Sequence, residues 1–484
     1  MRLLNMLEDS LEILVFNSLT ILLLIVALIA MGKKINHFGI LIMAILWGLI
    51  PWPFYHLSTD LSIFTVAFLR FFTATVGGLF FVLMFLIFNV FFKHKAKWSW
   101  FQYSFQDLKI QITNSLPIST RKSGTLQKQI HLPYILYYLI LGTFYFVTIL
   151  FYFYSYQNLG VIFTAIINMV ATTIFIALWN WLRKQEYIDS IKVTYLVMLL
   201  VAGILTIESL IITESTDLLI FGIVSLVTTI FTWVLFIILS GVDNYTPAEK
   251  ERVLSFADKP TDFQISRSMV KLTFFFFFSV LSLLLFTLIL NAFPIGGSIM
   301  GDEVTKFFKD LQNFSQLLLN PWAWFIGLET TVFPYLLYFL TQNNWSSRSL
   351  KWDQWIVILA GFEPLTSIFV GIFVGGEAFK YNLIILILAT IILALSMLLR
   401  YYHEKNCLKS IILLKVKRSR LKTLVDHIKY DPNIVEIKTV AGRYDIILRT
   451  LFQNNNLLKT FIENLKELDS TIEVENLIIF EMKK

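Results

Sequence analysis

The sequence predicts a mostly helical membrane protein with a small α+β domain at its C-terminal end. Of its 484 residues, 57% are hydrophobic and only 15% are charged, and long apolar runs recur up to Tyr402 and stop there. Soluble proteins are about a quarter charged, and a helix needs an apolar run of about 20 residues to cross a bilayer. We therefore expect an all-α polytopic membrane region of about eleven transmembrane helices, followed by an α+β ferredoxin-like domain of order βαββαβ.

The apolar runs predict one extra N-terminal helix and ten more. The first run, residues 13–31, follows three carboxylates and precedes Lys33 and Lys34, the reverse of the charge order in a cleavable signal peptide. We expect residues 1–36 to hold a retained membrane helix with its N-terminus outside. The other predicted spans are residues 37–56, 61–92, 132–156, 161–182, 191–212, 218–241, 269–293, 321–342, 355–375 and 383–402.

Positive charge is concentrated in alternate loops between these spans. Lys93, Arg183 and Lys250 belong to the basic set, whereas the acidic Glu208 and Glu214 belong to the other. By the positive-inside rule the basic loops are cytoplasmic. The pattern predicts a multi-pass membrane protein with a cytoplasmic C-terminal domain but does not identify the membrane, which we expect to be the cell membrane. The formal charge of +7 reflects this topology rather than nucleic-acid binding.

The sequence has no pattern typical of metal, redox or enzyme chemistry. Cys407 is the only cysteine, so the chain can form no intrachain disulfide and no cysteine-based metal site. The six histidines lack the spacing of metal ligands, and there is no nucleophile–base constellation or phosphate loop. We expect no cofactor, no metal and no enzymatic activity.

Two connections between spans have membrane-surface character. Residues 97–101 mix aromatic and basic side chains, which predicts a segment in the lipid headgroup layer. Residues 304–318 place apolar side chains at helical spacing against Lys306, Lys309 and Asp310. This pattern predicts an amphipathic helix lying flat on the membrane, with lipid as its partner.

Four motifs give the membrane region a family resemblance. Leu46-Trp47-Gly48 lies in one predicted helix and Leu69-Arg70-Phe71 in the next, while Gly361-Phe362-Glu363-Pro364-Leu365 precedes Gly375-Gly376-Glu377 in the second half. Residues 39–402 thereby resemble the EamA-type drug/metabolite transporter superfamily. The resemblance implies ten helices in two five-helix repeats of opposite orientation, here residues 37–212 and 213–403.

The two halves differ at matching positions. Asn168-Met169 stands where the second half has Glu363-Pro364, and Lys271 is the candidate counterpart of Arg70. Inverted repeats place a substrate site near the bilayer midplane, lined by interrupted helices. The prolines expected to interrupt those helices are Pro51, Pro53, Pro334 and Pro364.

Three charged residues are predicted to lie inside the membrane. Arg70 lies about eight residues, or roughly 12 Å, into its span, and Glu329 and Glu363 lie at similar depths. An ionisable group within a bilayer is costly and is a functional hypothesis by default. Arg70 would bind an anionic group and one glutamate would be proton-linked; alternatively, an Arg–Glu pair only holds helices together.

Aromatic side chains are candidates for the walls of a substrate cavity, because a ring offers apolar contact and a polar edge. Packing within the core is the alternative for each of them. The candidates are Trp47, Trp52, Tyr55, Trp233 and Tyr335.

The composition becomes mixed, charged and periodic after Tyr402, which predicts a separate domain at residues 408–484. Strands are predicted at residues 408–416, 433–440, 443–452 and 471–482, and helices at residues 419–430 and 457–468. This order is the ferredoxin-like one.

A second resemblance covers this domain. Val435-Glu436 leading to Val440-Ala441-Gly442-Arg443-Tyr444-Asp445-Ile446 is similar to the effector-binding domain of Lrp/AsnC-type regulators. The resemblance implies a side-by-side homodimer and an amino-acid effector bound near Gly442, Tyr444 and Asp445. From the residues alone, Gly442 is expected to supply a backbone conformation with positive φ, and Asp445 could be a surface residue.

Two functions fit these observations. The first is a secondary transporter of small polar metabolites, such as amino acids or related compounds, whose cytoplasmic domain binds an effector and regulates transport or pairs two copies. The second is a membrane-anchored amino-acid receptor or scaffold that transports nothing. Proline-interrupted helices and intramembrane charges favour the first.

Overall fold

A computed structural model shows a mostly helical chain that divides into two compact units. One unit holds the described residues within 1–169, 210–345 and 362–383, and the other holds those within 170–209, 346–361 and 384–484. The structure describes residues 18, 22, 36–88, 115–119, 129–182, 190–211, 216–240, 260–293, 299–344, 356, 358–405, 408–428, 431, 433–452, 455–468 and 471–478.

Among the described residues, nine helices are long and apolar enough to cross a membrane. The predicted first span lies outside the described residues, except for two isolated positions, so the total of eleven stays a prediction. The helices are α1 Asn36–Gly48, α2 Pro51–Ser58, α3 Ile63–Phe88, α4 Tyr134–Leu159, α5 Val161–Leu182, α6 Ser190–Ser209, α7 Thr216–Ser240, α8 Pro260–Ala292, α9 Ile299–Gln312, α10 Phe314–Leu319, α11 Pro321–Trp324, a π-helix Phe325–Val332, α12 Phe333–Asn344, α13 Phe362–Phe373 and α14 Leu383–Lys405.

Proline accounts for the interruptions in three spans. A turn separates α1 from Pro51 at the start of α2, and another turn precedes α13, which contains Pro364. The π-helix lies directly before Pro334. A proline lacks an N–H and its ring clashes with the carbonyl four residues earlier. The helix therefore breaks or widens on the N-terminal side of the proline.

Glycine residues and hydroxyl groups lie at close helix contacts in the first unit. A Cβ on Gly142 of α4 would lie 2.9 Å from the carbonyl oxygen of Phe275 in α8, and one on Gly327 of the π-helix would lie 2.7 Å from the Thr73 Cβ of α3. At the first of these contacts, the hydroxyl of Ser279 donates to the Gly142 carbonyl at 3.1 Å. Small residues let helix backbones approach closely within a membrane.

The predicted amphipathic helix is present, but it is two helices, α9 and α10, and it packs against protein. Phe307 is fully buried, with its ring 6.4 Å from Phe64 and 5.9 Å from Phe68 of α3. The apolar face of α9 therefore packs against α3. The sequence predicted a helix lying flat on the membrane and did not predict this contact with protein.

A short hairpin, β1 Ser115–Ser119 and β2 Gln129–Pro133, lies in the long connection before α4 and was not predicted. The predicted headgroup segment, residues 97–101, lies outside the described residues.

The C-terminal domain has an antiparallel sheet with strand order β4-β5-β3-β6. Buried Ile412, Leu414, Leu448 and Leu458 are part of its hydrophobic core. The strands alternate buried and more exposed residues, as expected for a sheet covered on one face. Its elements are β3 Leu408–Val416, α15 Leu421–Ile428, β4 Ile434–Thr439, β5 Ile446–Phe452, α16 Asn455–Glu467 and β6 Thr471–Ile478.

Candidate functional site

A cavity of about 30 Å³ lies among the helices of the first unit. This volume holds two or three water molecules, since one water needs roughly 10–15 Å³. A metabolite would therefore require the helices to move apart. The lining residues are Trp47, Ile50, Arg70, Thr148, Ile149, Tyr152, Asn168, Thr229, Trp233, Tyr335 and Glu363.

Arg70 is the positively charged group of this cavity. It lies on α3 and is only 1% exposed, and its Nη2 donates to the Tyr145 hydroxyl at 3.0 Å. Its Nε and Nη1 atoms have no hydrogen-bond partner in the described part of the chain. The guanidinium carbon lies 5.7 Å from the centre of the Phe153 ring. Arginine has five N–H donors in a planar fork, so Arg70 keeps donors available for a planar anion such as a carboxylate.

Glu363 is the negatively charged group of the cavity. It is the second residue of α13, and its Oε1 accepts a hydrogen bond from the Tyr152 hydroxyl at 3.3 Å. Asn168 on α5 lines the same cavity. The two positions that the sequence comparison paired across the halves therefore lie in one cavity. No hydrogen bond joins Glu363 to Arg70 in the described structure.

Aromatic rings form one wall. The Trp47 ring lies 5.6 Å from Trp233 and 5.2 Å from Tyr335, and the Tyr335 ring lies 5.0 Å from that of Tyr145. Such distances are typical of favourable ring pairs. Trp47, Trp233 and Tyr335 therefore pack within this group of rings and also line the cavity.

Three predicted site residues do not line the cavity, and Tyr55 on α2 is one of them. Trp52 lies on α2 beyond the proline break, and Glu329 lies on the π-helix, where it is 6% exposed. The five-residue hydrogen bonding of a π-helix changes the direction of the side chains that follow, which a 3.6-residue period in the sequence does not reveal.

Sequence reasoning missed the hydroxyl groups of Thr148, Tyr152 and Thr229, which line the cavity. Threonine or tyrosine occurs in every span, and no local pattern marks these three. Within the described residues, no group of three or more His, Cys, Asp or Glu side chains could hold a metal ion.

A second polar cluster lies at the N-terminus of α5. The Glu377 carboxylate is 4% exposed and accepts from the backbone N–H of Val161 at 2.8 Å and of Ile162 at 3.2 Å. The third N–H, of Phe163, donates to the Tyr381 hydroxyl at 3.1 Å. The first N–H groups of a helix have no partner within it, and a carboxylate there is favoured by the helix dipole. We call this arrangement the Glu377 cap.

Backbone geometry makes the Glu377 cap possible. Gly160 precedes α5 with φ of 89° and Gly376 precedes Glu377 with φ of 61°, a region that side chains other than glycine rarely adopt. Burial raises the pKa of the Glu377 carboxyl, against the lowering effect of the two backbone N–H groups.

The N-terminus of α3 is capped in a similar way. Asp310 Oδ2, on α9, accepts from the Ser62 N–H at 3.0 Å and from the Thr65 hydroxyl at 2.6 Å, and Glu303 Oε2 accepts from the Ile63 N–H at 2.7 Å. We call this arrangement the Asp310 cap. The amphipathic helix thus supplies two carboxylates to the helix that carries the cavity arginine.

The predicted effector turn of the C-terminal domain lies between β4 and β5. Gly442 is exposed, and its φ is not positive, so the expected backbone role is wrong; a Cβ there would meet nothing within 4 Å. The turn is held instead by the Val440 N–H, which donates to the Asp445 carbonyl at 2.9 Å. A turn closed by such a contact needs no left-handed residue at that position.

Tyr444 and Asp445 have structural partners. The Tyr444 hydroxyl donates to the Glu475 carboxylate, and this hydrogen bond raises the pKa of the Tyr444 hydroxyl. Asp445 Oδ2 accepts from the Val416 N–H at 2.9 Å. One carboxylate oxygen of Asp445 therefore stabilises the end of β3.

Comparisons with known proteins bear on the C-terminal domain. A search of curated proteins finds no match to this chain, and no EamA-type family model matches the helical region, so that resemblance stays a prediction. Residues 409–484 match the family described as "Lrp/AsnC ligand binding domain", and the C-terminal domain of this chain is therefore a domain of that type.

Proposed function

We propose that this chain is a secondary transporter of small polar metabolites, with amino acids or related compounds as the substrate class. In this proposal it lies in the cell membrane, with the N-terminus outside and the Lrp/AsnC domain in the cytoplasm. The observation that carries the proposal is the cavity, which brings buried Arg70 and half-buried Glu363 together among apolar helices without a hydrogen bond between them.

The arrangement of the two charges favours a role beyond helix packing. A buried charge is costly, and a purely structural arginine would be expected to have its donors paired. Arg70 instead has two nitrogens without a partner in the described residues, next to a cavity that it shares with a carboxylate. A zwitterion would match both charges, since its carboxylate could bind Arg70 and its ammonium could bind Glu363.

Paired helix contacts support the inverted repeat of the EamA-type resemblance. In that repeat, α3 corresponds to α8, and α4 corresponds to the span that contains the π-helix. The contact between Gly142 of α4 and Ser279 of α8 in one half then corresponds to a second contact. That second contact joins Gly327 of the π-helix to Thr73 of α3. In each contact a hydroxyl donates to a carbonyl of the partner helix, at 3.1 Å for Ser279 and at 3.0 Å for Thr73 to Ala323.

The C-terminal domain is proposed to regulate transport. The order βαββαβ and the strand order β4-β5-β3-β6 support a ferredoxin-like fold. An amino-acid effector at the turn of Gly442, Tyr444 and Asp445, in a homodimer formed by two such domains, would shift the transport equilibrium only by its differential affinity for the two states.

An uptake screen on the full-length protein tests the proposal. The protein is reconstituted in proteoliposomes and uptake of amino acids and related metabolites is measured against empty liposomes. Uptake of at least one metabolite, reduced by Arg70→Ala, is expected. If no metabolite is taken up while an amino acid raises the melting temperature of the full chain, the alternative of a membrane-anchored receptor replaces transport.

A further inference from the structure

Two carboxylate caps secure the helices that carry cavity residues. Arg70 follows Ile63, the first residue of α3, by seven positions, and Asn168 follows Val161, the first residue of α5, by seven positions. At 1.5 Å per residue, each lies about 10 Å from its capped N-terminus. The Asp310 cap holds the first helix and the Glu377 cap holds the second.

Both caps come from the second half of the chain and bind the first half. Asp310 and Glu303 lie on α9, and Glu377 follows α13, the helix that carries Glu363. The Glu377 cap thus ties α13 to α5, so that the spacing between Glu363 and Asn168 depends on it. A Cβ on Gly371 of α13 would lie 2.7 Å from Ile162, which shows how close the two helices are beside this cap.

At the opposite end of the same bundle, hydroxyl groups and a lysine, rather than carboxylates, make the hydrogen bonds between helices. The Ser240 and Tyr338 hydroxyl groups are 2.5 Å apart, and Lys271 Nζ donates to the Ser240 carbonyl at 3.3 Å. The Tyr137 hydroxyl donates to the Leu239 carbonyl at 3.0 Å. The small cavity therefore lies between two ends of the bundle that are each held by hydrogen bonds across helices, at one of them by carboxylates on helix N-termini.

We propose that the Glu377 cap and the Asp310 cap form the gate at the end of the bundle predicted to face outward, and that opening the cavity to that side requires their hydrogen bonds to break. Glu377 is the main gating residue, because its two oxygens bind two successive N–H groups of α5. This proposal rests on the proposed transport function. It states in addition which side chains control access to the cavity from one side.

A single-cysteine accessibility experiment tests the gate. Cys407 is the only native cysteine, so Cys407→Ser with Thr229→Cys gives one reporter thiol in the cavity wall. The full-length protein is placed in oriented vesicles, and a charged, membrane-impermeant methanethiosulfonate reagent is applied to each side in turn. Glu377→Ala is expected to speed labelling about tenfold or more from the predicted outer side, because the N–H groups of Val161 and Ile162 then lose their acceptors across the contact.

Matched variants make the result specific. Glu303→Ala, in the Asp310 cap, should speed labelling from the same side. Glu208→Ala removes an exposed carboxylate and should leave the rate unchanged. Glu377→Gln keeps one acceptor oxygen and replaces the other with an NH₂ donor, so it should accelerate labelling less than Glu377→Ala. If Glu377→Ala does not fold, the labelling rate of Glu377→Gln tests the gate.

The outcomes separate the gate from the proposed function. Labelling that does not accelerate in either Glu377 variant, or accelerates equally from both sides, overturns the gate even if uptake is observed. One-sided acceleration supports the gate even if no tested metabolite is transported.

Discussion

The hydroxyl of Tyr152 donates a hydrogen bond to Glu363 Oε1 at 3.3 Å, and both side chains line the cavity that contains Arg70. Tyr152 belongs to α4 and Glu363 to α13, so the contact joins the two proposed repeats. An amide oxygen could accept the same hydrogen bond. Glu363→Gln is therefore a substitution that removes the charge and keeps the contact.

Glu363→Gln should separate proton coupling from substrate movement. We expect accumulation driven by a pH gradient to be lost, because the neutral amide cannot bind and release a proton, while exchange of substrate at equal concentrations continues. Proteoliposome uptake with and without a pH gradient measures both. Glu329→Gln is the comparison, since Glu329 is a buried intramembrane glutamate outside the cavity lining. Loss of coupling in Glu329→Gln alone would place the proton-linked site on the π-helix.

Gly142→Ala and Gly327→Ala should each destabilise the membrane region. Their added Cβ atoms would lie 2.9 Å from the Phe275 carbonyl oxygen and 2.7 Å from the Thr73 Cβ, closer than van der Waals contact allows. Overpacking of this kind costs about 1–3 kcal/mol. Thermal unfolding in detergent should show a lower melting temperature for both variants and an unchanged one for Gly442→Ala, whose Cβ meets nothing within 4 Å. Equal melting of all three would contradict the two close contacts.

Access to the cavity should depend on pH through Glu377. Burial raises the pKa of this carboxyl in the closed arrangement, whereas in an open arrangement water would return it to about 4.3. Closure then favours the protonated form, so raising the pH from about 4.3 through the raised value should favour opening. The Thr229→Cys reporter should be labelled faster as the pH rises in this window.

The control for this pH effect is Glu377→Gln. Labelling rises with pH in every variant because the thiolate is the reactive form of the reporter, so the gate predicts a smaller rise in Glu377→Gln than in the protein that keeps Glu377. The other titratable groups at the site are Tyr55, Lys380 and Tyr381. A rise with pH that is as large in Glu377→Gln as in the protein that keeps Glu377 would contradict a role of Glu377 in it.

Asp445→Ala should loosen the end of β3 in the C-terminal domain. It leaves the Val416 N–H without its acceptor, at a cost of about 1–3 kcal/mol for an unsatisfied buried group and less where water can enter. Hydrogen exchange of the full-length protein should show faster exchange near Val416. Glu473→Ala is the control, because its ion pair with Arg443 is exposed, and such pairs contribute about 0–1 kcal/mol.

Hydropathy was sufficient to locate most helices, because apolar length is a direct requirement of the bilayer. The comparison of the halves matched Asn168 with Glu363 by position only; that both line one cavity was visible only in the structure. Glu329 was predicted at a similar depth, but the π-helix changes side-chain direction in a way that composition does not encode.

The Gly376-Glu377 motif was visible in the sequence, but its contact was not. Glu377 caps a helix that begins more than two hundred positions earlier, and only the tertiary structure brings the two together. Gly442 shows the converse error. A glycine in a turn suggested positive φ, yet the Val440–Asp445 contact closes the turn without it.

Uptake by Arg70 variants tests the central claim most directly. In proteoliposomes, with whichever amino acid or related metabolite the wild-type protein transports, Arg70→Ala should weaken apparent substrate affinity about 10- to 100-fold, the range expected for loss of charge-assisted hydrogen bonds. Arg400→Gln is the control, since Arg400 is 4% exposed and does not line the cavity. Affinity that is lost in Arg70→Ala and retained in Arg400→Gln is the predicted result; equal affinity in wild type and Arg70→Ala would contradict substrate binding at this cavity.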